Sequence, residues 1–202
     1  MFIEKTDKET ILKPLQVVIG IVERKQALPI LSNVLIEKEP GNIRFTATDL
    51  EIQITTSIEG KAGDGETSAI TVGGKKIQEI LRILPDQSKI SIEAKENKAQ
   101  IKSAKSRFSL QTLPAQDFPK LSNQLAGAKK ITLGQPALKK LLLSVQYAMA
   151  QQDVRYYLNG VLLIVEGNKL KVVATDGHRL AFNAGIIDGK HERQEIILPR
   201  KA

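Results

Sequence analysis

There is no cysteine in the chain, which excludes disulfides, thiolate metal sites and a cysteine nucleophile and is compatible with the cytoplasm. Aromatic residues amount to 4%, too few for the stacking platform that grips single-stranded nucleic acid. Only two histidines occur, His178 and His191, and no serine stands in a nucleophile-elbow context, so catalytic chemistry finds little support. Long apolar runs are missing too. The longest, such as Val161–Val165, are far too short to span a bilayer, and the opening MFIEKTDKET has no apolar segment of the signal-peptide kind. The expectation is a cytoplasmic protein with no membrane partner.

What is present points to a folded, basic protein. Hydrophobic residues make up 42% and charged residues 26% of the 202, an ordinary balance for a globular chain with a real core. With 30 Lys+Arg against 22 Asp+Glu the net charge is +8, which suits an extended anionic partner such as nucleic acid and equally a solvated basic surface. A short phrase occurs twice, TATDLE from Thr46 and VATDGHRLA from Val173, with Thr48 and Thr175 lying 127 positions apart. At that offset and without a gap, Leu15 falls on Leu142, Val18 on Val145, Leu35 on Leu162 and Asp49 on Asp176. Internal repetition with so long a period means duplicated domains rather than a solenoid, with expected bounds 1–125 and 126–202.

Each copy opens with an amphipathic helix. Thr6 and Glu9 have capping-box spacing, and Ile11, Leu12, Leu15, Val18, Ile19 and Val22 follow at helical intervals, with Pro14 in conflict inside them. In the second copy the helix is expected to begin at Pro136 and to carry Leu138, Leu141, Leu142, Val145 and Met149 on one side. Short β-rich segments come next: 33–37, 43–48 and 52–58, then 160–165, 170–174 and 180–186, separated by turns at Pro40-Gly41-Asn42 and Glu166-Gly167-Asn168. The first copy continues through a strand at 68–72, a helix at 76–84 and strands at 89–94, 99–103 and 107–112, with a polar linker at 122–130. The fold class is α+β, helices packed on antiparallel sheets. EIILPRKA at the end lines up with SAITVGGK of the first copy, and nothing matches the first copy's later helix and strands. The expectation is therefore an N-terminal part of something longer, the alternative being a short form completed by self-association.

The chemistry-bearing residues fall into few groups. Asp49 with Glu51, and Asp176 with His178, have the i, i+2 spacing of a metal or acid–base pair, although an Asp at a strand end more often builds a turn. VGGKK at 72–76 lacks the upstream glycine and the following Ser/Thr of a phosphate loop; a strand-to-helix turn explains it, while Lys75 and Lys76 remain suited to a phosphate. Arg24 and Lys25, Arg200 and Lys201, and Gln152, Arg155, Tyr156 and Tyr157 lie in comparable loops, which suits contact with a phosphate backbone. One member of the Tyr156-Tyr157 pair is expected to face a core. Leu158, Val161, Gly177 and Leu180 are able to border an apolar groove rimmed by Thr175, His178 and Arg179, a receptor for a short hydrophobic peptide or simply core.

Taken together, LKPLQ at 12–16, LPILSN at 28–33, TDLE at 48–51, SRFSLQTLPAQDFP at 106–119, QDVRYYLNG at 152–160, ATDGHRLA at 174–181 and LPRK at 198–201 resemble the bacterial DNA polymerase III β subunits, the sliding clamps. The resemblance runs the length of the chain. It implies the DNA-clamp fold and a non-enzymatic, cofactor-free protein that closes as a head-to-tail homodimer of three-domain subunits around double-stranded DNA. Implied partners are DNA polymerase III subunits, the clamp loader and other proteins carrying a clamp-binding motif. On the family's motifs, DNA contacts fall on Lys25, Lys75, Gln152, Tyr156 and Tyr157, with Arg24, Arg200 and Lys201 nearby. The peptide pocket falls on Leu158, Thr175, Gly177, His178, Arg179 and Leu180, and the dimer face on Phe108 and Leu110 with Lys76 and Arg107. Lysine at 25 and 75, where the family often has arginine, keeps the charge without the planar fork. Length and net charge both depart from the family, whose members continue through a third domain and are acidic overall. A free peptide-binding module, and a metal-dependent nuclease using Asp49, Glu51 or Asp176, are the alternative readings.

Overall fold

The computed structural model describes residues 2–22, 28–59, 67–95, 97–121 and 130–202, which belong to two compact units, Met1–Asn123 and Gln124–Ala202. The polar segment expected as a linker lies almost wholly outside the described residues. In the first unit the order is β1 (Ile3–Asp7), α1 (Lys8–Ile19), a 3-10 turn (Pro29–Ser32), β2 (Asn33–Glu39), β3 (Asn42–Thr48), β4 (Gln53–Glu59), β5 (Ser68–Gly73), α2 (Gly74–Ile83), β6 (Lys89–Lys95), β7 (Lys98–Ser103) and β8 (Ser106–Gln111). Two antiparallel four-stranded sheets result, ordered β4-β3-β2-β5 and β1-β6-β7-β8.

Both helices and both sheets feed one core. Ile11, Leu15 and Val18 of α1 and Ile77 and Leu81 of α2 meet Val34, Ile36 and Phe45 from one sheet and Ile90, Ile92 and Ile101 from the other. Each of these side chains gains about 1.5–3 kcal/mol from leaving water, so the helical spacing read from the sequence is what joins the layers. Gly74 stands at the start of α2 because a side chain there would meet Val34 Cγ2 at 3.0 Å.

One local expectation fails. The Thr6–Glu9 capping box does not form: Thr6 belongs to β1 and donates its hydroxyl to the Glu4 carbonyl, and the helix starts after Asp7 without a side-chain cap. Burial of Phe2 and Ile3 explains this, since both are drawn onto Ile92, Phe2 through a 3.0 Å backbone hydrogen bond. Pro14 neither ends nor delays the helix; it lies buried within α1, where the absent N–H removes one bond to the Thr10 carbonyl.

The second unit runs through α3 (Gln135–Val145), 3-10 turns at Gln146–Ala148 and Tyr156–Leu158, β9 (Gly160–Thr175) and β10 (Leu180–Pro199). Its core joins Leu141 and Val145 of α3 to Val161, Val165, Leu170, Val172 and Ala181 of the strands. The expected turn at 166–168 lies inside the long β9. Glu166 and Lys171 form a 2.6 Å ion pair, yet five residues of straight strand span about 16 Å. The chain therefore doubles back at Gly167, whose φ is +59°, just as Glu39 and Arg44 meet at 3.2 Å across the β2–β3 turn.

The duplication holds at the level of register. Thr48 pairs with Gln53 and Asn42 with Glu59, and 127 positions later Thr175 pairs with Leu180 and Lys169 with Ile186. Leu35 pairs with Thr71, and Leu162 with Ile197, so EIILPRKA takes the β5 position as the alignment anticipated, one residue short. The two halves of β10 thus flank β9 as β4 and β5 flank the β3–β2 pair.

Candidate functional site

The repeated Thr-Asp phrase builds the same turn twice. In the first unit Thr48 donates to the Ile52 carbonyl at 2.8 Å while the Asp49 carboxylate accepts from the backbone N–H groups of Glu51 and Ile52. In the second, Thr175 donates to the Arg179 carbonyl at 2.7 Å and Asp176 accepts from His178 and Arg179 N–H, both at 3.0 Å. The carboxylates are turn builders. Among the described residues no three His, Asp or Glu side chains gather in a way that would hold a metal ion.

The turn forces a left-handed residue at its second position, where Gly177 has φ +89° and Leu50, its counterpart, has φ +78°. A leucine there is strained, whereas glycine is not. Leu50→Gly is expected to stabilise the first unit by up to about 1 kcal/mol, and Gly177→Ala to destabilise the second by about 1 kcal/mol or more, read from thermal unfolding midpoints.

The second turn carries further contacts. Arg179 donates its Nε to the free oxygen of Asp176 at 3.0 Å, and its guanidinium lies 5.8 Å from the Tyr147 ring centre. The Asp176 carboxyl is held below the ordinary carboxylate range, first by the His178 N–H, then by the Arg179 N–H and side chain. A groove of about 240 Å³ opens beside the turn, lined by Tyr157, Leu158, Leu162, Val173, Thr175 and Ile197 among others. Of the six residues expected from the sequence, Leu158 and Thr175 line it. Gly177, His178 and Arg179 sit exposed on the adjoining turn, and Leu180 points away from the core at 65% exposure. Leu162, Val173 and Ile197 were missed; their signal was the alternation of the strands, which sets them on the sheet face opposite the core residues Val161, Val172 and Ala174.

The loop before this groove is pinned. Asn159 accepts from the Asp153 N–H at 3.0 Å and donates to its carbonyl at 2.9 Å, while Asp153 grips Arg155 through both carboxylate oxygens. That pair lowers the Asp153 carboxyl to about 2, chiefly through the Arg155 side-chain hydrogen bond. Arg200 N–H donates to the Asn159 carbonyl at 2.9 Å, which brings Arg200 against the loop carrying Gln152, Tyr156 and Tyr157, with Lys201 next in sequence. Both tyrosines are exposed, Tyr156 at 79% and Tyr157 at 51%. The expectation that one faces a core is therefore wrong: in this 3-10 turn it is the third residue, Leu158, that buries.

In the first unit Lys75 and Lys76 open α2 and line a cleft of about 460 Å³ with Ser32, Asn33, Ser109 and Leu110. Arg24 and Lys25 lie outside the described residues. Strand β8 is a sheet edge; Phe108 and Leu110 are half-buried against the unit's own core, and Arg107 is exposed on the other face.

Comparison with known proteins adds an independent result. Residues 2–122 match the family described as DNA polymerase III beta subunit, N-terminal domain, and residues 132–202 match its central domain. The chain is similar to the beta sliding clamp of Pseudomonas aeruginosa, 45% identical over 199 residues, covering 96% of this chain and 53% of that protein. It is similar also to the beta sliding clamp of Escherichia coli, 40% identical over 195 residues with the same coverage. The crystal structure of the DNA polymerase III subunit beta from Pseudomonas aeruginosa superposes with a TM-score of 0.86 at 42% identity, covering 97% of this chain and 53% of that one. A Caulobacter crescentus beta sliding clamp gives 0.87 at 34% identity, with the same two coverages. The chain spans about half the length of the curated relatives it matches.

Proposed function

The chain belongs to the DNA polymerase III beta subunit family and has its DNA-clamp fold, and on that footing we propose that it serves as a DNA polymerase processivity factor. In this reading the protein has no reaction of its own. It encircles duplex DNA as a head-to-tail dimer and holds the polymerase on its template; a clamp loader places it, and partner proteins dock by a short peptide. The observation that carries the proposal is the tandem of family matches, N-terminal then central domain, on a chain whose two units repeat one strand register.

The site geometry supports the finer roles. The exposed amide of Gln152, the hydroxyls of Tyr156 and Tyr157 and the cations of Arg200 and Lys201, with the half-buried Lys75, offer loose, undirected contacts to phosphate, and Arg24 and Lys25 join them by sequence alone. Weak contacts permit sliding; the ring prevents escape. The groove beside Leu158 and Thr175, with the Gly177–Leu180 turn at its edge, receives the apolar side chains of the partner peptide. The half-buried Phe108 and Leu110, with Lys76 and Arg107, present the edge strand to the partner subunit. Localisation in the cytoplasm follows from the proposed role, and no described helix is long and apolar enough to cross a membrane.

The test is primer extension by a bacterial replicative polymerase with its loader. Adding the intact protein is expected to lengthen single-encounter products at least several-fold, and unchanged product length would count against the proposal.

A further inference from the structure

The two sheets of the first unit carry different charge patterns on the faces turned away from their shared core. On the sheet β4-β3-β2-β5 the charged cross-strand neighbours have opposite signs: Glu37 stands opposite Arg44, whose guanidinium meets Glu39 at 3.2 Å, and Lys120 reaches Glu37 at 2.6 Å. On β1-β6-β7-β8 like signs face each other. Lys95 of β6 stands opposite Lys98 of β7, and Lys102 of β7 opposite Arg107 of β8. The alternating residues Ile92, Ala99, Ile101 and Phe108 turn to the core, so the four cations share the outer face. Lys105, exposed in the turn joining β7 to β8, extends the second row.

Like charges set directly opposite each other on a sheet lower stability, where opposite charges would raise it. Lys102 is offset by Glu93 at 2.7 Å, and Lys89, farther along β6, by Asp7 at 2.7 Å. Among the described residues Lys95, Lys98, Lys105 and Arg107 have no ion-pair partner; Glu96, next to Lys95 in sequence, lies outside them. The pattern therefore suits an anion supplied by another molecule.

The rows also limit what that molecule is. Along β7 the four residues from Lys98 to Lys102 span about 13 Å, with the uncharged Gln100 and Ser109 paired between the rows. A rigid polyanion meets both rows at once, and duplex DNA is one, with a negative charge per about 1.7 Å of axis. Single strands are gripped by aromatic side chains, and none stands in these rows. An acidic peptide is flexible, and the rows offer no apolar anchor to offset the cost of ordering it.

We propose that the outer face of β6, β7 and β8 is a second contact for double-stranded DNA, separate from the loop residues assigned to the enclosed duplex. Lys95, Lys98 and Lys105 carry it, and Arg107, on the edge strand proposed for the dimer, lies at its border. The contact does not depend on ring closure; in a processivity factor it holds the protein near duplex that it has not encircled.

The probe is relaxed, covalently closed circular duplex offered to the intact protein without a loader, because such a circle has no end to thread through a ring. The wild type should shift its electrophoretic mobility. The triple variant Lys95→Gln, Lys98→Gln, Lys105→Gln should bind about tenfold or more weakly at low salt, with the slope of log affinity against log salt reduced by about two to three. The corresponding triple arginine variant should bind as the wild type does. Thermal unfolding of the glutamine variant should come at or above the wild-type midpoint, since opposed like charges are removed, and a lower midpoint contradicts the charge argument. A wild type that ignores the closed circle, or a glutamine variant that binds it equally well, overturns the proposal. So does polyglutamate binding that the substitutions abolish while the closed circle stays unbound. When placed by a loader on nicked circular DNA, the glutamine variant should be retained like the wild type; failure of the wild type itself to be retained there counts against the clamp reading alone.

Discussion

Asp176→Ala is expected to lower the affinity of the intact protein for a hydrophobic client peptide by about a hundredfold, the largest effect of any change outside the groove itself. One carboxylate accepts three hydrogen bonds, from His178 N–H, Arg179 N–H and Arg179 Nε. Losing them opens the turn and frees the guanidinium from its station near Tyr147, and each 1.4 kcal/mol of lost orientation is tenfold in affinity. Asp176→Asn keeps an oxygen for the two amides but not the charge for Arg179, so it should fall between. The control is Asp49→Ala, which breaks the matching turn in the first unit and should leave peptide affinity within about twofold, since it builds the turn of the other unit. Titration calorimetry reads all three.

The same carboxyl sets a pH dependence of known sign. Because folding lowers its pKa, the turn's contribution is complete above the ordinary carboxylate value and is lost as pH falls through the lower folded value. Affinity should therefore hold from neutral pH down to about 4 on account of this group, and decline below.

The second large effect is on stability, at Lys8. This lysine is 3% exposed, and its ammonium donates to the Leu84 carbonyl at 3.1 Å and to Asp86 at 2.8 Å. Leu84 caps the C-terminus of α2, so one side chain at the start of α1 satisfies the end of the other helix. Lys8→Ala removes the packed stem and orphans a buried carbonyl, for an expected loss of about 2–4 kcal/mol. Lys8→Met restores the stem and should recover roughly half of that. Asp86, whose side chain is 96% exposed, is held below the ordinary carboxylate range by the Lys8 hydrogen bond, yet Asp86→Ala should hardly move the midpoint because water screens an open pair. Urea unfolding measures each. A Lys8→Ala midpoint equal to wild type would mean that the carbonyl finds water.

Lys8 also shows where the sequence stops being legible. A lysine at the head of an amphipathic helix reads as a solvated charge, and only the approach of α2, fixed by contacts seventy-odd residues away, makes it a buried cap. Strand β1 was hidden for a related reason: Phe2 and Ile3 are too short a run to announce a strand, and pairing with Ile92 decides it. By contrast, the duplicated helices and strands were readable because period and turn residues are local, and the offset of 127 carried the register of the β3–β4 pair into the second unit. The lining of the candidate groove was only partly readable. Loop residues such as Tyr156 announce themselves by chemistry, whereas Leu162 and Ile197 are ordinary strand residues whose exposure depends on what covers the sheet.

Retention on DNA tests the proposed clamp role most directly. The intact protein, placed by a loader on nicked circular DNA and passed through a sizing column at moderate salt, should stay with the circle and be lost when a single cut makes the DNA linear. Lysine and arginine contacts to phosphate weaken steeply with salt, so survival on the circle together with loss from the linear form identifies enclosure rather than affinity. Equal retention, or equal salt sensitivity, on circular and linear DNA would contradict it.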